Sequence, residues 1–114
     1  MKIHYLEFVT PDVDSVCETL EIGQSVSFGD PDPALGGART AAMAGGGMVG
    51  VRAPLREDEA PVVRSYFLVE NIQSTVDVSA EAGALVALPP MPLGDHGTCA
   101  IVIQGGVEVG FWQV

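Results

Sequence analysis

Basic residues are scarce in this chain: five Lys and Arg face fifteen Asp and Glu, a formal net charge of −10 over 114 residues. Recognition of nucleic acid or of an anionic membrane needs Lys and Arg to neutralise phosphates, so both classes of partner are disfavoured. Cysteine is almost absent. Cys17 and Cys99 are too few for a disulfide framework and lack the spacing of a metal knuckle. Both lie among apolar neighbours and read as buried free thiols. No uninterrupted apolar run approaches the roughly 18 to 20 residues of a membrane span. The start, Met1-Lys2-Ile3-His4-Tyr5, has no apolar core followed by a small-residue cleavage site, so a cytoplasmic location is expected. Also missing are a supported Ser-His-Asp or Cys-His arrangement and a His-x-x-x-His pair. Gly45-Gly46-Gly47 precedes a strand pattern rather than a helix, so it has no helix dipole with which to hold phosphate.

Glycine and apolar residues are what the chain has in quantity. Apolar residues make up 47%, enough for a buried core, and 14 glycines with 8 prolines predict many turns and short strands. The length bounds the chain to one compact domain or two very small modules.

An internal repeat decides between organisations. Ala44-Gly45-Gly46-Gly47-Met48-Val49-Gly50-Val51-Arg52 aligns with Gln104-Gly105-Gly106-Val107-Glu108-Val109-Gly110-Phe111-Trp112 at an offset of 60. Gly23 and Val26 match Gly83 and Val86 at that offset, while Phe8 and Asp12-Val13 meet Phe67 and Asn71-Ile72 at 59.

Each half reads strand, helix, strands. Ile3–Thr10 has strand composition, and Asp12 or Asp14 is placed to cap the helix that follows. Val13, Val16, Cys17 and Leu20 share one helical face, and Gly23 is placed to end it. Strands are expected near Gln24–Phe28, Arg39–Ala44 and Met48–Ala53. In the second half, Val63–Val69 reads as a strand and Asn71 as a cap. Ile72, Val76 and Ala80 mark a helix face ending at Gly83, with strands at Ala84–Leu88, Cys99–Ile103 and Val107–Gln113. Residues 54–61, charged and bounded by Pro54 and Pro61, form a connector. The expectation is an α+β fold: one domain of two tandem βαβββ modules, residues 1–53 and 62–114.

Paired modules of this kind resemble the vicinal oxygen chelate superfamily of glyoxalases, extradiol dioxygenases and bleomycin-resistance proteins. Phe8-Val9-Thr10-Pro11-Asp12-Val13-Asp14 resembles its first strand-to-helix junction, and Tyr66-Phe67-Leu68-Val69-Glu70-Asn71-Ile72 its second. Gly106-Val107-Glu108-Val109-Gly110-Phe111-Trp112-Gln113 resembles the terminal strand of small members. The resemblance implies a curved mixed sheet or open barrel-like cleft between the modules. It also implies metal ligands from the first and last strand of each module. Those positions here are Tyr5, Gly50, Arg64 and Gly110, none a usual divalent-metal ligand, so no metal or other cofactor is expected.

Strand alternation in that register turns Tyr5, Glu7, Arg64 and Tyr66 into the cleft, with Gly50, Glu108, Gly110 and Trp112 from the terminal strands. The two glycines are expected to leave open volume for an organic ligand that stacks on Tyr5, Tyr66 and Trp112, while Glu7, Glu108 and Arg64 form a polar cluster. Glycines that relieve crowding in a twisted sheet are the alternative. His4 reads as a core or edge histidine, and His96 as a loop residue near the mouth. The expected function is metal-free binding of an aromatic or cationic small molecule, as in drug-sequestering members. The alternative is a lyase, isomerase or dioxygenase with a rearranged metal site or metal-independent acid–base chemistry; a module that has lost its ligand is a third reading. Size and resemblance together imply a homodimer.

Overall fold

Seven strands and two α-helices account for most of the chain. The computed structural model describes residues Met1–Val114. In chain order the elements are β1 (Ile3–Val9), α1 (Val13–Gln24), β2 (Arg39–Ala42), β3 (Met48–Arg52), β4 (Val62–Leu68), α2 (Ile72–Glu81), β5 (Leu85–Pro92), β6 (Thr98–Gln104) and β7 (Val107–Gln113). Short 3-10 turns at Pro33–Leu35 and Gly94–His96 complete them. No helix is long and apolar enough to cross a membrane. The chain divides into two compact units, Tyr5–Val63 and Met1–His4 with Arg64–Val114.

In the Tyr5–Val63 unit the strand order is β2-β3-β1, with β1 parallel and β2 antiparallel to β3. The apolar face of α1 meets the sheet as its periodicity predicts. Cys17, Phe28, Ala41, Val49 and Val51 form the buried cluster, and Leu6, Phe8, Val13, Val16 and Leu20 pack against it. Asp12 makes no side-chain cap on α1, and Asp14 instead pairs with Arg39 at 3.0 Å. The helix runs one residue past Gly23 and ends at Ser25, whose φ of 54° is left-handed.

The strand expected at Gln24–Phe28 does not form. Its polar demand is met elsewhere: the Phe28 N–H donates to the Glu21 carboxylate at 2.9 Å, which leaves the Phe28 ring buried in the core. Beyond it, a single bridge between Asp32 and Ala38 encloses the Pro33–Leu35 turn, and the Asp32 carboxylate accepts from the Ala34 N–H. This half is therefore βαββ, one strand short of expectation.

The other unit orders its strands β4-β7-β6-β5, with β4 parallel to β7 and the rest antiparallel. Asn71 caps α2 as expected, accepting from the Ser74 N–H at 3.0 Å. Ile72 and Val76 enter a core with Ala100, Val69, Val86 and Phe111, whereas Ala80 is exposed rather than on that face. Gly83 adopts φ +105° just past the helix, and the Ala84 N–H bonds the Ser79 carbonyl. A residue with a side chain rarely adopts that conformation.

The duplication appears in the register. Glu7 stands opposite Gly50 in the β1–β3 pair, and Tyr66 opposite Gly110 in β4–β7. These are the same positions at the offsets of 59 and 60 found in the sequence.

Candidate functional site

The faces turned away from α1 and α2 carry the residues singled out in the sequence, one set in each unit. In the Tyr5–Val63 unit these are Tyr5 and Glu7 on β1 with Gly50 and Arg52 on β3. The Tyr5 ring lies on Gly50: a Cβ there would strike the Tyr5 hydroxyl and fall 2.9 Å from Cε1. Arg52 Nε donates to Glu7 Oε2 at 2.8 Å. Its other two nitrogens fork onto Glu59 of the connector at 3.0 and 2.8 Å, and Glu59 also accepts from the Leu55 N–H at 2.7 Å. A bidentate fork of this kind is among the stronger polar contacts a protein makes. The Arg52 hydrogen bonds hold the Glu59 carboxyl down at about 2, and raise the guanidinium further above neutrality. Burial, followed by the Glu7 charge, pushes the Tyr5 hydroxyl well above its ordinary value.

In the second unit Tyr66 lies across Gly110. A Cβ on Gly110 would strike the Tyr66 ring and stand 2.8 Å from the Ser65 carbonyl. Tyr66 meets Trp112 edge-on, with ring centroids 5.8 Å apart and planes at 87°. The Trp112 indole N–H donates to the His96 carbonyl at 2.8 Å, and the His4 ring lies 5.5 Å away. Burial, then Lys2, lowers the His4 pKa. Arg64 Nε donates to Glu108 Oε2 at 2.6 Å; the arginine side chain is 9% exposed and the glutamate 40%.

One expectation is corrected. Gly50 and Gly110 do not leave open volume, because the tyrosines of the adjacent parallel strands fill it. Of the expected polar residues, Arg64 pairs with Glu108 in one unit, and in the other Glu7 pairs with Arg52, a residue outside the expected set.

The positions implied as metal ligands do not fit a metal. Two are glycines without a donor atom, Arg64 is a protonated cation hydrogen-bonded to Glu108, and Tyr5 holds its proton more tightly than usual. No three His, Cys, Asp or Glu side chains converge elsewhere.

Sequence reasoning missed an apolar floor in the second unit. Leu85, Ile103 and Glu108 form one cross-strand row, and Leu88, Ile101, Gly110 and Tyr66 the next. Leu85 is 65% exposed, and Leu88, Ile101 and Ile103 are half-buried. The register shift between Val86 and Leu88 is what brings Leu88 onto this face, and it broke the alternation that would have announced the row. The result is an accessible apolar surface that ends at the Glu108 carboxylate.

No family model matches the chain. A Mycobacterium bovis protein named "Putative glyoxylase CFP32" is 29% identical over an alignment of 89 residues that covers 74% of this chain and 34% of that protein. A Mycobacterium tuberculosis protein of the same name matches equally. The chain spans about a third of the length of these relatives. Among solved structures, "hypothetical protein BH1468" from Bacillus halodurans has a TM-score of 0.78 at 16% identity, covering 99% of this chain and 94% of its own. Methylmalonyl-CoA epimerase from Mycobacterium tuberculosis has a TM-score of 0.74 at 14% identity, covering 97% and 86%. A Streptomyces coelicolor methylmalonyl-CoA epimerase variant in complex with 2-nitronate-propionyl-CoA has a TM-score of 0.72 at 17% identity, covering 99% and 96%. The fold is α+β and of the glyoxalase type, that of the vicinal oxygen chelate proteins.

Proposed function

We propose that this chain binds a small organic molecule without a metal, on the apolar floor of β5, β6 and β7, and that the ligand is an aromatic or cationic one. The carrying observation is the half-exposed Glu108 carboxylate beside half-exposed Leu88, Ile101 and Ile103. An apolar surface with one well-placed polar group is the usual make-up of a small-molecule site. Glu108 spends Oε2 on Arg64 and keeps Oε1 for a ligand's positive charge. The residues at the ligand positions of metal-dependent members support the metal-free part of the reading, since they supply no donor set. Two solved neighbours of the same fold are methylmalonyl-CoA epimerases, one in complex with 2-nitronate-propionyl-CoA, which supports an organic small molecule as the occupant of this architecture. A carboxylate over an apolar floor is also placed to move a proton, and this is the observation that favours the isomerase or lyase alternative.

The test uses acridine, neutral in mildly alkaline buffer, and its permanently cationic relative N-methylacridinium. Trp112 is the only tryptophan and reports binding by quenching. Glu108→Gln keeps an acceptor for Arg64 but removes the charge. It is expected to weaken N-methylacridinium about tenfold, roughly 1.4 kcal/mol, and to leave acridine unchanged. Equal loss for both ligands, or no binding of either, overturns the proposal. Chemical conversion of a bound ligand, lost in Glu108→Gln, moves the reading to the enzyme alternative.

A further inference from the structure

The helix-facing side of the Tyr5–Val63 unit holds a cavity of about 340 Å³. Leu6 and Phe8 of β1, Leu20 of α1, Val26, Met43 and Val49 of β3 form its wall. It lies on the opposite face of β1 from Tyr5 and Glu7, and in a different unit from the floor described above.

Its origin is the absent strand. In the other unit, β5 supplies Val86 to the core beneath α2. Here Gln24–Phe28 is tied back to Glu21 instead of joining the sheet, and the end of α1 is left without a strand to cover it. Five of the six wall side chains stay partly exposed although all are apolar, Val49 alone being buried.

Water is a poor occupant, because an ordered water needs roughly two to four polar partners. The one polar side chain of the lining is Gln24, and no charged side chain lines the cavity at all. In a chain of net charge −10 an uncharged lining is selective for a neutral guest. The volume falls at the lower end of the range for small-molecule pockets, roughly 300 to 1,000 Å³.

We propose that this cavity is a second binding site, for a small neutral apolar molecule whose one polar end meets the Gln24 side-chain amide at the rim. The site is independent of the floor in the other unit and of the Glu108 carboxylate.

Methionines tell the two sites apart. Met43 lines the cavity, while Met91 stands opposite Cys99 in the other unit. Protein with 13C-labelled methionine methyls is titrated with N-phenyl-1-naphthylamine, an uncharged probe. The Met43 methyl is expected to shift and the Met91 methyl to stay in place. Ala42→Phe and Ala44→Phe, both at exposed rim positions, are expected to weaken the probe at least tenfold without unfolding the protein. An unmoved Met43 methyl up to the solubility of the probe, a shift at Met91 in its place, or unchanged affinity in both rim variants overturns the assignment. Failure of N-methylacridinium to bind leaves this result untouched, so the two proposals fail separately.

Discussion

The ring of Tyr66 occupies the space that a side chain on Gly110 would need. The pair stands in register across β4 and β7, so the glycine is the complement of the tyrosine rather than a vacancy beside it.

Gly110→Ala is therefore expected to destabilise the fold by about 1 to 3 kcal/mol, the usual cost of overpacking a well-filled site. Ser65, whose carbonyl lies 2.8 Å from the new Cβ, adds backbone to the clash. In a double-mutant cycle with Tyr66→Ala, the combined loss should be smaller than the sum of the two single losses. Urea unfolding of the four proteins measures it; additive losses would show that the ring and the glycine are not coupled.

Arg52 gives the connector an acid-sensitive anchor. Glu59 has its pKa lowered in the folded chain, so its ion pair contributes stability that is fully present above the ordinary glutamate value of 4.5. That contribution is lost as the pH falls towards about 2. Glu59→Gln is expected to be less stable at neutral pH and to lose less on acidification over that window. Parallel pH–stability curves for the two proteins would contradict it. Arg52→Ala should cost more, about 3 to 5 kcal/mol, because it takes both guanidinium hydrogen bonds from Glu59, whose side chain is only 11% exposed, and one from Glu7.

His4 resists protonation. Its lowered pKa means that the neutral ring stabilises the fold above the unfolded value of 6.5, and that this stability declines as the pH falls through the folded value. Because the imidazole sits 5.5 Å from the Trp112 indole, its charge should quench the fluorescence. A titration of emission is expected to show a midpoint below 6.5 that disappears in His4→Gln. A midpoint above 6.5 would contradict the burial argument.

Both thiols should be inert in the folded protein. Cys17 is fully buried and Cys99 is 4% exposed, and burial pushes the Cys17 thiol up. An aromatic disulfide reagent is expected to react with neither until denaturant is added. Rapid modification of one thiol per chain without denaturant would contradict it.

Much of the architecture was legible because local signals and packing agreed. The alternation in Val107–Gln113 and the Asn71 cap both survive into the structure at the predicted places. Gln24–Phe28 misled because its Ser-Val-Ser-Phe alternation suits a half-buried strand, yet a Glu21 carboxylate seven residues back satisfied the backbone first. The site was harder to read. Alternation gave the right faces, but whether a glycine is empty depends on the size of the residue across the ladder, which a single strand does not reveal. Arg52 stands at the repeat position of Trp112, so the two units are wired differently although their registers match. Within its own unit each side of that asymmetry makes its ion pair, Glu7 with Arg52 and Arg64 with Glu108. The floor depended on a bulge in β5, which no periodicity announces.

The ion pairs have a consequence beyond the places they fasten. Arg39 is held by Asp14, Arg52 by Glu7 and Glu59, Arg56 by Asp58 and Arg64 by Glu108. All four arginines thus spend their charge at short range, and what a distant molecule meets is the remaining carboxylate excess. That excess draws a cloud of counter-ions around the chain. In dilute buffer the field reaches well out from the surface, while at physiological ionic strength it fades within about 8 Å. Approaching cations are concentrated near the surface before they touch any binding residue, and anions meet a barrier at the same distance. Ionic strength therefore sets how fast charged molecules arrive.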